Sequence, residues 1–178
     1  MIKLIATCIT KEQQQVCERM GIEVMQNYAC SYGEIVPGCV TDYSVHCFNS
    51  ASLDVLSSLG VKRATLHPEL KLAQIRDIKK CIETEVVIYG KLTLMKLGNP
   101  IKNGALIDRM DKIFYVHEGM LYNSVPIFMA DRLYEIEKSG VTTGRMMFTT
   151  ENAAQTSGII ESYKNRVMMK MDFTRGKY

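Results

Sequence analysis

The chain has 178 residues, of which 47% are hydrophobic and 23% charged, and 22 basic against 19 acidic side chains give a net charge of +3. This composition is typical of a globular domain, and so mild a net charge does not by itself argue for nucleic-acid binding. We find no run of eighteen apolar residues and no secretory signal, so we expect no membrane partner. We predict a cytoplasmic protein with free thiols, folded as one domain over residues 1–178.

Apolar strands alternate with amphipathic helices along most of the chain. The pattern predicts strands at 4–9, 22–26, 40–48, 61–67, 84–90 and 141–149. It predicts helices at 11–20 (capped by Thr10), 51–59 (capped by Ser50), 72–82, 128–138 and 151–163. Between Leu92 and Leu121 the period changes to two around a polar turn at 108–112, which predicts an antiparallel hairpin. The fold class is therefore α/β, with parallel strands and an antiparallel hairpin insertion.

Three of the six cysteines, Cys30, Cys39 and Cys47, are spaced C-x8-C-x7-C, which matches neither zinc sites nor ferredoxin clusters. We interpret Cys47 as a core residue, because free cysteine is among the most buried residue types. Cys30 and Cys39 flank a loop and could form a redox or metal pair, although their spacing disfavours it. The remaining cysteines are placed in the core by the apolar faces on which they lie: Cys8, Cys17 and Cys81.

Several stretches carry a family resemblance: VTDYSVHCFNSASLDVLSSLGVKRATLHPELKLAQI, VVIYGKLTLM, ALIDRMDKIFYVHEGMLYNSVPI, SGVTTGRMMFTTEN and MDFTRGKY. In this order and spacing they resemble the collagenase-like peptidases, peptidase family U32. The resemblance implies a partial (β/α) barrel of the TIM type, because the chain resembles only the C-terminal half of that domain. A full barrel needs roughly 250 residues.

A half-barrel would leave two unpaired sheet edges and a stripe of interior side chains open to water. The candidates for this stripe are Val45, Cys47, Leu66, Val87, Met146 and Phe148. We therefore expect a homo-oligomer, or pairing with a missing N-terminal half of the barrel.

The resemblance also implies a function, nominally the hydrolysis of peptide bonds. Related proteins act in RNA hydroxylation, so the resemblance leads us to expect a peptide or an RNA as substrate. A non-catalytic half-barrel that binds a partner is the alternative. Some family members hold an iron–sulfur cluster on four cysteines after the strand that ends in "YG". Here residues 91–109 contain no cysteine, and Asn99 stands where relatives often place one. We expect no cofactor and no metal.

The catalytic candidates are Arg145, His67, Glu69 and Lys91. Arg145 ranks first because an arginine inside an apolar strand is costly unless it is paired, although the acid that the family places near Met147 is missing. His67 and Glu69 follow a strand and could supply a general base or a ligand. The alternative is a strand-end turn in which Glu69 starts the next helix.

The substrate-binding candidates are Tyr89, Gly90, Lys91, Asn123, Ser124 and Arg175. Lys91 could bind an anion while Gly90 permits close backbone approach, and a simple bend is the alternative. Helix capping is the alternative for Asn123 and Ser124, and a solvated basic tail for Arg175. No Ser/His/Asp, Cys/His or HExxH set is visible, so we predict no activity on gelatin or casein from this chain alone.

Overall fold

A computed structural model describes residues 1–98 and 103–176. The strands in chain order are β1 (Lys3–Cys8), β2 (Glu23–Val24), β3 (Val40–Thr41), β4 (Arg63–Thr65), β5 (Glu83–Gly90), β6 (Thr93–Lys96), β7 (Asn103–Ile107), β8 (Ile113–His117), β9 (Met120–Tyr122), β10 (Ile127–Phe128) and β11 (Thr143–Phe148). The helices are α1 (Lys11–Arg19), α2 (Ser50–Ser58), α3 (Leu72–Asp77), α4 (Leu133–Lys138) and α5 (Ala153–Asn165). Short 3₁₀ turns occupy residues 32–34, 43–45 and 130–132.

The larger sheet is parallel and curled like half of a barrel. Its strands follow the order β2-β1-β11-β5-β4-β3, and each pairs in parallel with its neighbours. Beyond β2 the chain crosses to the opposite edge, where Ala29 forms a bridge with Thr41 of β3. The predicted βα rhythm is thus confirmed as a mixed α/β fold, and the carboxyl ends of the parallel strands meet at one end of the curled sheet.

The second sheet is antiparallel, in the order β6-β9-β8-β7, and is inserted between β5 and β10. The predicted hairpin is confirmed, since β7 pairs with β8 around residues 108–112. Strand β10 returns to the first sheet and pairs antiparallel with the end of β5, so the second sheet stands beside the carboxyl ends of the parallel strands.

The two faces of the curled sheet differ in chemistry. Alternate residues of β11 point to opposite faces. Met146 and Phe148 belong to the apolar cluster that also contains the helix residues Ile75 and Ile160, while Arg145 lies among charged partners on the other face. The chain therefore packs its helices against the outer face and places buried charged groups on the inner face, beside the apolar Ile5 and Val87.

The stripe predicted to be open to water is buried. None of its six side chains is more than 3% exposed, and five of them belong to the main apolar cluster. The prediction was wrong because it assigned Met146 and Phe148 to the inner face. A shift of one residue along a strand exchanges the two faces of the sheet. Because the run "MMF" is apolar throughout, it does not indicate which of its side chains point to the inner face.

Several predicted element boundaries also need correction. Asn49 rather than Ser50 caps α2, and its side-chain oxygen accepts from Ser52 N at 2.8 Å. Helix α3 ends at Asp77, so the predicted continuation to residue 82 is wrong and Cys81 is exposed. Only β3 is a strand within the stretch 40–48, which continues as a 3₁₀ turn and a left-handed residue, His46.

No helix begins at the predicted caps Asn123 and Ser124. The segment leads into β10, and the predicted helix at 128–138 is replaced by β10, a 3₁₀ turn and α4. Within the described residues, no helix has both the length and the apolar composition that crossing a membrane requires.

Candidate functional site

A cleft of about 790 Å³ opens at the carboxyl ends of the parallel strands, and we call it the strand-end cleft. Strand ends supply one wall, from Thr7, Asp42, His67, Glu69, Arg145 and Met147. The second sheet and the residues before it supply the facing wall, from Leu92, Leu94, Met95, Lys96 and Met120. The cleft thus combines a polar wall with a largely apolar one, which is common in ligand sites.

Arg145 lies in the strand-end cleft, held by two carboxylates. Its Nη2 donates to Asp42 Oδ1 at 2.7 Å, and its Nε lies 3.1 Å from Glu85 Oε1. The guanidinium also stacks over the ring of Tyr28, with its central carbon 4.2 Å from the ring centroid. With a side chain only 2% exposed, Arg145 is a buried charge whose orientation is fixed by its partners.

Glu85 is the centre of this network and is fully buried. Its second oxygen lies 3.0 Å from Arg63 Nε and accepts from the Tyr28 hydroxyl at 3.3 Å. The Thr65 hydroxyl lies 3.0 Å from the other oxygen. One carboxylate thereby ties the inner face of β5 to those of β4 and β11.

Burial and charge act in opposite directions on these groups. Burial raises the pKa of Glu85, while Arg145 and Arg63 act to lower it. Burial acts to lower the pKa of Arg145, but Glu85 and Asp42 outweigh it and hold that pKa above its usual range. Burial also raises the pKa of Tyr28, so the phenol keeps its proton and donates to Glu85.

His67 lies in an aromatic group at the edge of the strand-end cleft. Its ring stacks on Phe48 with centroids 4.2 Å apart and on His46 with centroids 5.3 Å apart, and Tyr43 meets it edge-on. Its Nδ1 accepts a 3.3 Å hydrogen bond from the backbone N–H of Glu69. In the neutral imidazole the proton is therefore on Nε2.

The structure brings three of the four predicted catalytic residues together. Arg145, His67 and Glu69 all line the strand-end cleft. Lys91 does not; it lines a separate cavity of about 540 Å³, which we call the Lys91 cavity.

In the Lys91 cavity, the Lys91 ammonium lies 3.0 Å from Thr150 Oγ1 and 3.7 Å from the centroid of the Tyr115 ring. Lys91 is only 7% exposed, and burial lowers its pKa. Beside it the Tyr89 hydroxyl donates to Glu151 at 2.8 Å, and Ser124 also lines the cavity. Two of the predicted binding residues, Tyr89 and Ser124, thus accompany Lys91.

The other predicted binding residues have structural contacts. A Cβ at Gly90, whose φ is +129°, would collide with the carbonyl oxygen of Met147, so close approach is required by β11 rather than by a ligand. The Asn123 side-chain oxygen accepts from the N–H of Ser124, outside any helix. Arg175 lies on the surface, paired with Asp131 at 2.8 Å.

Sequence reasoning missed most partners of Arg145. Asp42 was read as part of a strand, and the charges of Arg63 and Glu85 went unremarked. Both occupy strands predicted to be buried, so the argument that selected Arg145 would have selected them as well. Tyr28 carried no local signal, because it lies in the irregular segment that follows β2.

The cysteines fall into three environments. Cys47 is 1% exposed, which confirms the core interpretation, and Cys17 is also buried. Cys8 and Cys39 are half-buried and pack against the core, while Cys30 and Cys81 are exposed, so the core prediction for Cys81 was wrong. Within residues 1–98 and 103–176 no three His, Cys, Asp or Glu side chains are grouped to hold a metal ion. Asn99 lies outside the described residues.

The fold and the strand-end cleft together define an α/β half-barrel protein with a candidate site at the carboxyl ends of parallel strands, the position that barrel enzymes use. The family model for Peptidase family U32 matches residues 32–110, and this match supports assigning the chain to that family, as the resemblance predicted. The matched segment runs from before β3 to beyond β7 and includes Asp42, His67, Glu69 and Glu85. No curated protein and no solved structure matches the chain.

Proposed function

We propose that this protein acts on short peptides in the strand-end cleft and that the reaction is hydrolysis of a peptide bond. The observation that carries the proposal is the buried Arg145 fixed between Asp42 and Glu85 in the wall of this cleft. Buried charges are expensive, and charged groups held in a cleft by specific partners are characteristic of functional sites.

The charge of the strand-end cleft favours a peptide over RNA. Its lining contains two acidic side chains, Asp42 and Glu69, and two basic ones, Lys96 and Arg145. A polyanionic backbone is normally bound by an excess of Lys and Arg. A peptide backbone instead offers alternating neutral donors and acceptors, which this mixture of carboxylates, cations and hydroxyls can pair, while Leu94 and Met95 supply apolar contacts for side chains.

The residues at the cleft edge provide for a proton transfer. Because Nδ1 accepts from the Glu69 N–H, His67 carries a proton on Nε2, and this N–H can polarise the carbonyl group of a bound peptide. The carboxylate of Glu69, two residues further on, can take a proton from water as general base. The water oxygen then adds to the carbonyl carbon, the C–N bond breaks, and the proton passes from Glu69 to the departing amine. Arg145 and Asp42 hold the peptide beside these groups.

A peptide-binding module without catalysis is the second candidate function. It is favoured by the pairing of Arg145, whose Nη2 and Nε already face carboxylates. A guanidinium fixed in this way is suited to recognising a peptide rather than to transferring a proton. The two candidates share one cleft and differ in the role of Glu69.

Both candidates are tested by incubating the purified chain with a library of short peptides. Binding is measured by fluorescence anisotropy and cleavage by mass spectrometry. We expect Arg145→Lys to weaken binding, since lysine cannot reproduce the two-sided pairing, and Glu69→Gln to abolish cleavage while binding persists. Glu161→Gln, an exposed substitution on α5, is the matched control. Binding without cleavage would favour the module, and absence of both, or cleavage unchanged in Glu69→Gln, would refute the proposed reaction.

A further inference from the structure

Two thiols face each other on the helix side of the curled sheet. Cys8, the last residue of β1, and Cys17, in the middle of α1, have their Sγ atoms 3.6 Å apart. Cys17 is fully buried, and Cys8 is half-buried. Solvent can therefore reach the pair from the side of Cys8.

The two sulfur atoms lie in van der Waals contact, 3.6 Å apart. A disulfide needs an S–S distance of about 2.05 Å, so each sulfur has to move by less than an ångström. The rest of the site is fixed: Thr10 and Gln13 form a capping box that sets α1 against the end of β1. Gln13 also donates to the Glu151 carbonyl at 2.8 Å, which holds the loop after β11.

We propose that Cys8 and Cys17 form a reversible disulfide and constitute a thiol–disulfide site that reacts with low-molecular-weight disulfides of the glutathione class. This inference does not rest on the proposed peptide hydrolysis, because the pair lies outside the strand-end cleft.

The reaction proceeds in two balanced exchanges. The Cys8 thiolate attacks one sulfur of the small disulfide RSSR, a mixed disulfide forms, and one RS⁻ leaves and takes up the proton from Cys8. The Cys17 thiolate then attacks the sulfur of Cys8, the second RS⁻ leaves with the proton from Cys17, and the protein is oxidised by two electrons as RSSR becomes two RSH.

Exposure sets this order, because Cys8 is half-buried while Cys17 is fully buried. In the reduced pair the shared hydrogen bond lowers the pKa of Cys17 and raises that of Cys8. The carboxylates of Glu18 and Glu151 also raise the pKa of Cys8, so the first step is the slower one.

The test uses a Cys30→Ser/Cys81→Ser background, which removes the two exposed thiols. The folded protein is incubated with oxidised glutathione, free thiols are blocked, and the chain is digested with trypsin without reduction. Residues 4–11 and 12–19 fall in separate tryptic peptides. We expect them to be linked, with a mass about 2 Da below their sum, and to separate after treatment with dithiothreitol.

Two controls make the result decisive. The Cys17→Ser variant in the same background should retain glutathione on Cys8 and give no linked peptides. The same treatment in urea should give less of the linked product, because the folded chain is what brings the sulfurs together. The proposal would be overturned if Cys8 and Cys17 were both recovered as blocked free thiols from the folded protein. It would also be overturned if the folded protein gave no more of the linked peptides than the protein in urea. Both outcomes are independent of the peptide assay.

Discussion

Arg145 Nη2 donates a 2.7 Å hydrogen bond to Asp42 Oδ1 although the two residues are 103 positions apart in the chain. The bond joins β11 to the turn that follows β3, and Glu85 holds the other side of the same guanidinium. Three distant segments thus meet at one side chain. This arrangement gives the strand-end cleft a charged wall whose geometry depends on each partner.

We expect Arg145→Met to lower the free energy of unfolding by about 3–5 kcal/mol, because it removes one partner of a buried carboxylate, Glu85. The double variant Arg145→Met/Glu85→Met should be destabilised by less than the sum of the two single variants. Each single variant leaves one buried charge without its partner, whereas the double variant removes both charges of the pair. Urea unfolding of the four proteins measures the coupling.

Additive effects in that cycle would contradict the pairing of Arg145 with Glu85. Arg132→Met is the matched control, because Arg132 pairs with Glu135 in an exposed position within one helical segment. Its expected effect is below about 1 kcal/mol.

Gly90 is the second point at which β5 and β11 depend on each other. Its φ of +129° is a backbone angle that residues with a side chain rarely adopt, and an added Cβ would lie 2.6 Å from the Cβ of Met147. We expect Gly90→Ala to lower the free energy of unfolding by roughly 2–5 kcal/mol through backbone strain and overpacking. Thermal or urea unfolding gives the measurement.

Gly33→Ala is the control for this substitution, since nothing lies within 4 Å of a Cβ at Gly33 and its φ is not positive. If the two alanine variants were equally stable, the close approach of Gly90 to Met147 would be refuted.

Local signals made the strands and some helix ends predictable. Thr10 and Gln13 are three residues apart, and the predicted cap forms as a reciprocal pair of hydrogen bonds of 3.2 and 3.1 Å. The strands from β1 to β5 and β11 were recognised from their apolar runs, and Arg145 stood out as a charge within such a run. These features depend on neighbours in the sequence, which a pattern can record.

The remaining features depend on partners that are distant in the chain. Asn123 and Ser124 have the composition of helix caps, yet the segment after them pairs with the end of β5 as β10. The face assignment of Met146 and Phe148 followed from sheet register, which their own sequence does not encode. For the same reason the site was predicted as single residues rather than as a network centred on Glu85.

The buried stripe changes what substitutions in it should do. Oligomerisation was predicted from side chains thought to be open, and a charge placed among them, as in Val87→Asp or Met146→Asp, would on that view dissociate the assembly. Since Val87 and Met146 are fully buried, we now expect either aspartate to unfold the chain, because an unpaired buried charge costs several kcal/mol. Circular dichroism with light scattering separates the two outcomes.

A folded monomer from Met146→Asp would contradict the burial of that side chain. A homo-oligomer, or pairing with a missing N-terminal half, stays a prediction for the unmodified protein, and the mass from light scattering tests it directly. The matched control is Val55→Asp, on the exposed face of α2, where a new charge should leave the fold unchanged.

The buried ammonium of Lys91 predicts a pH dependence of stability. Burial lowers the pKa of Lys91 below its unfolded value of about 10.4, so the folded chain releases this proton at a lower pH than the unfolded chain does. Between the two pKa values the unfolded state binds more protons, and the free energy of unfolding contributed by Lys91 rises with pH. Below the folded pKa both states are protonated, and the full cost of burying the charge is present.

We therefore expect Lys91→Met to be at least as stable as the unmodified protein at neutral pH. As pH rises toward about 10.4, the free energy of unfolding of the unmodified protein should increase relative to that of the variant. Urea unfolding of both proteins at several pH values gives the difference, in which the titration of groups that do not interact with Lys91 cancels. Lys138→Met is the matched control, since its ammonium also lies over a ring, that of Tyr134 at 4.4 Å, but Lys138 is exposed. A difference that stays constant with pH for Lys91→Met would show that the Lys91 ammonium is not desolvated beside Tyr115.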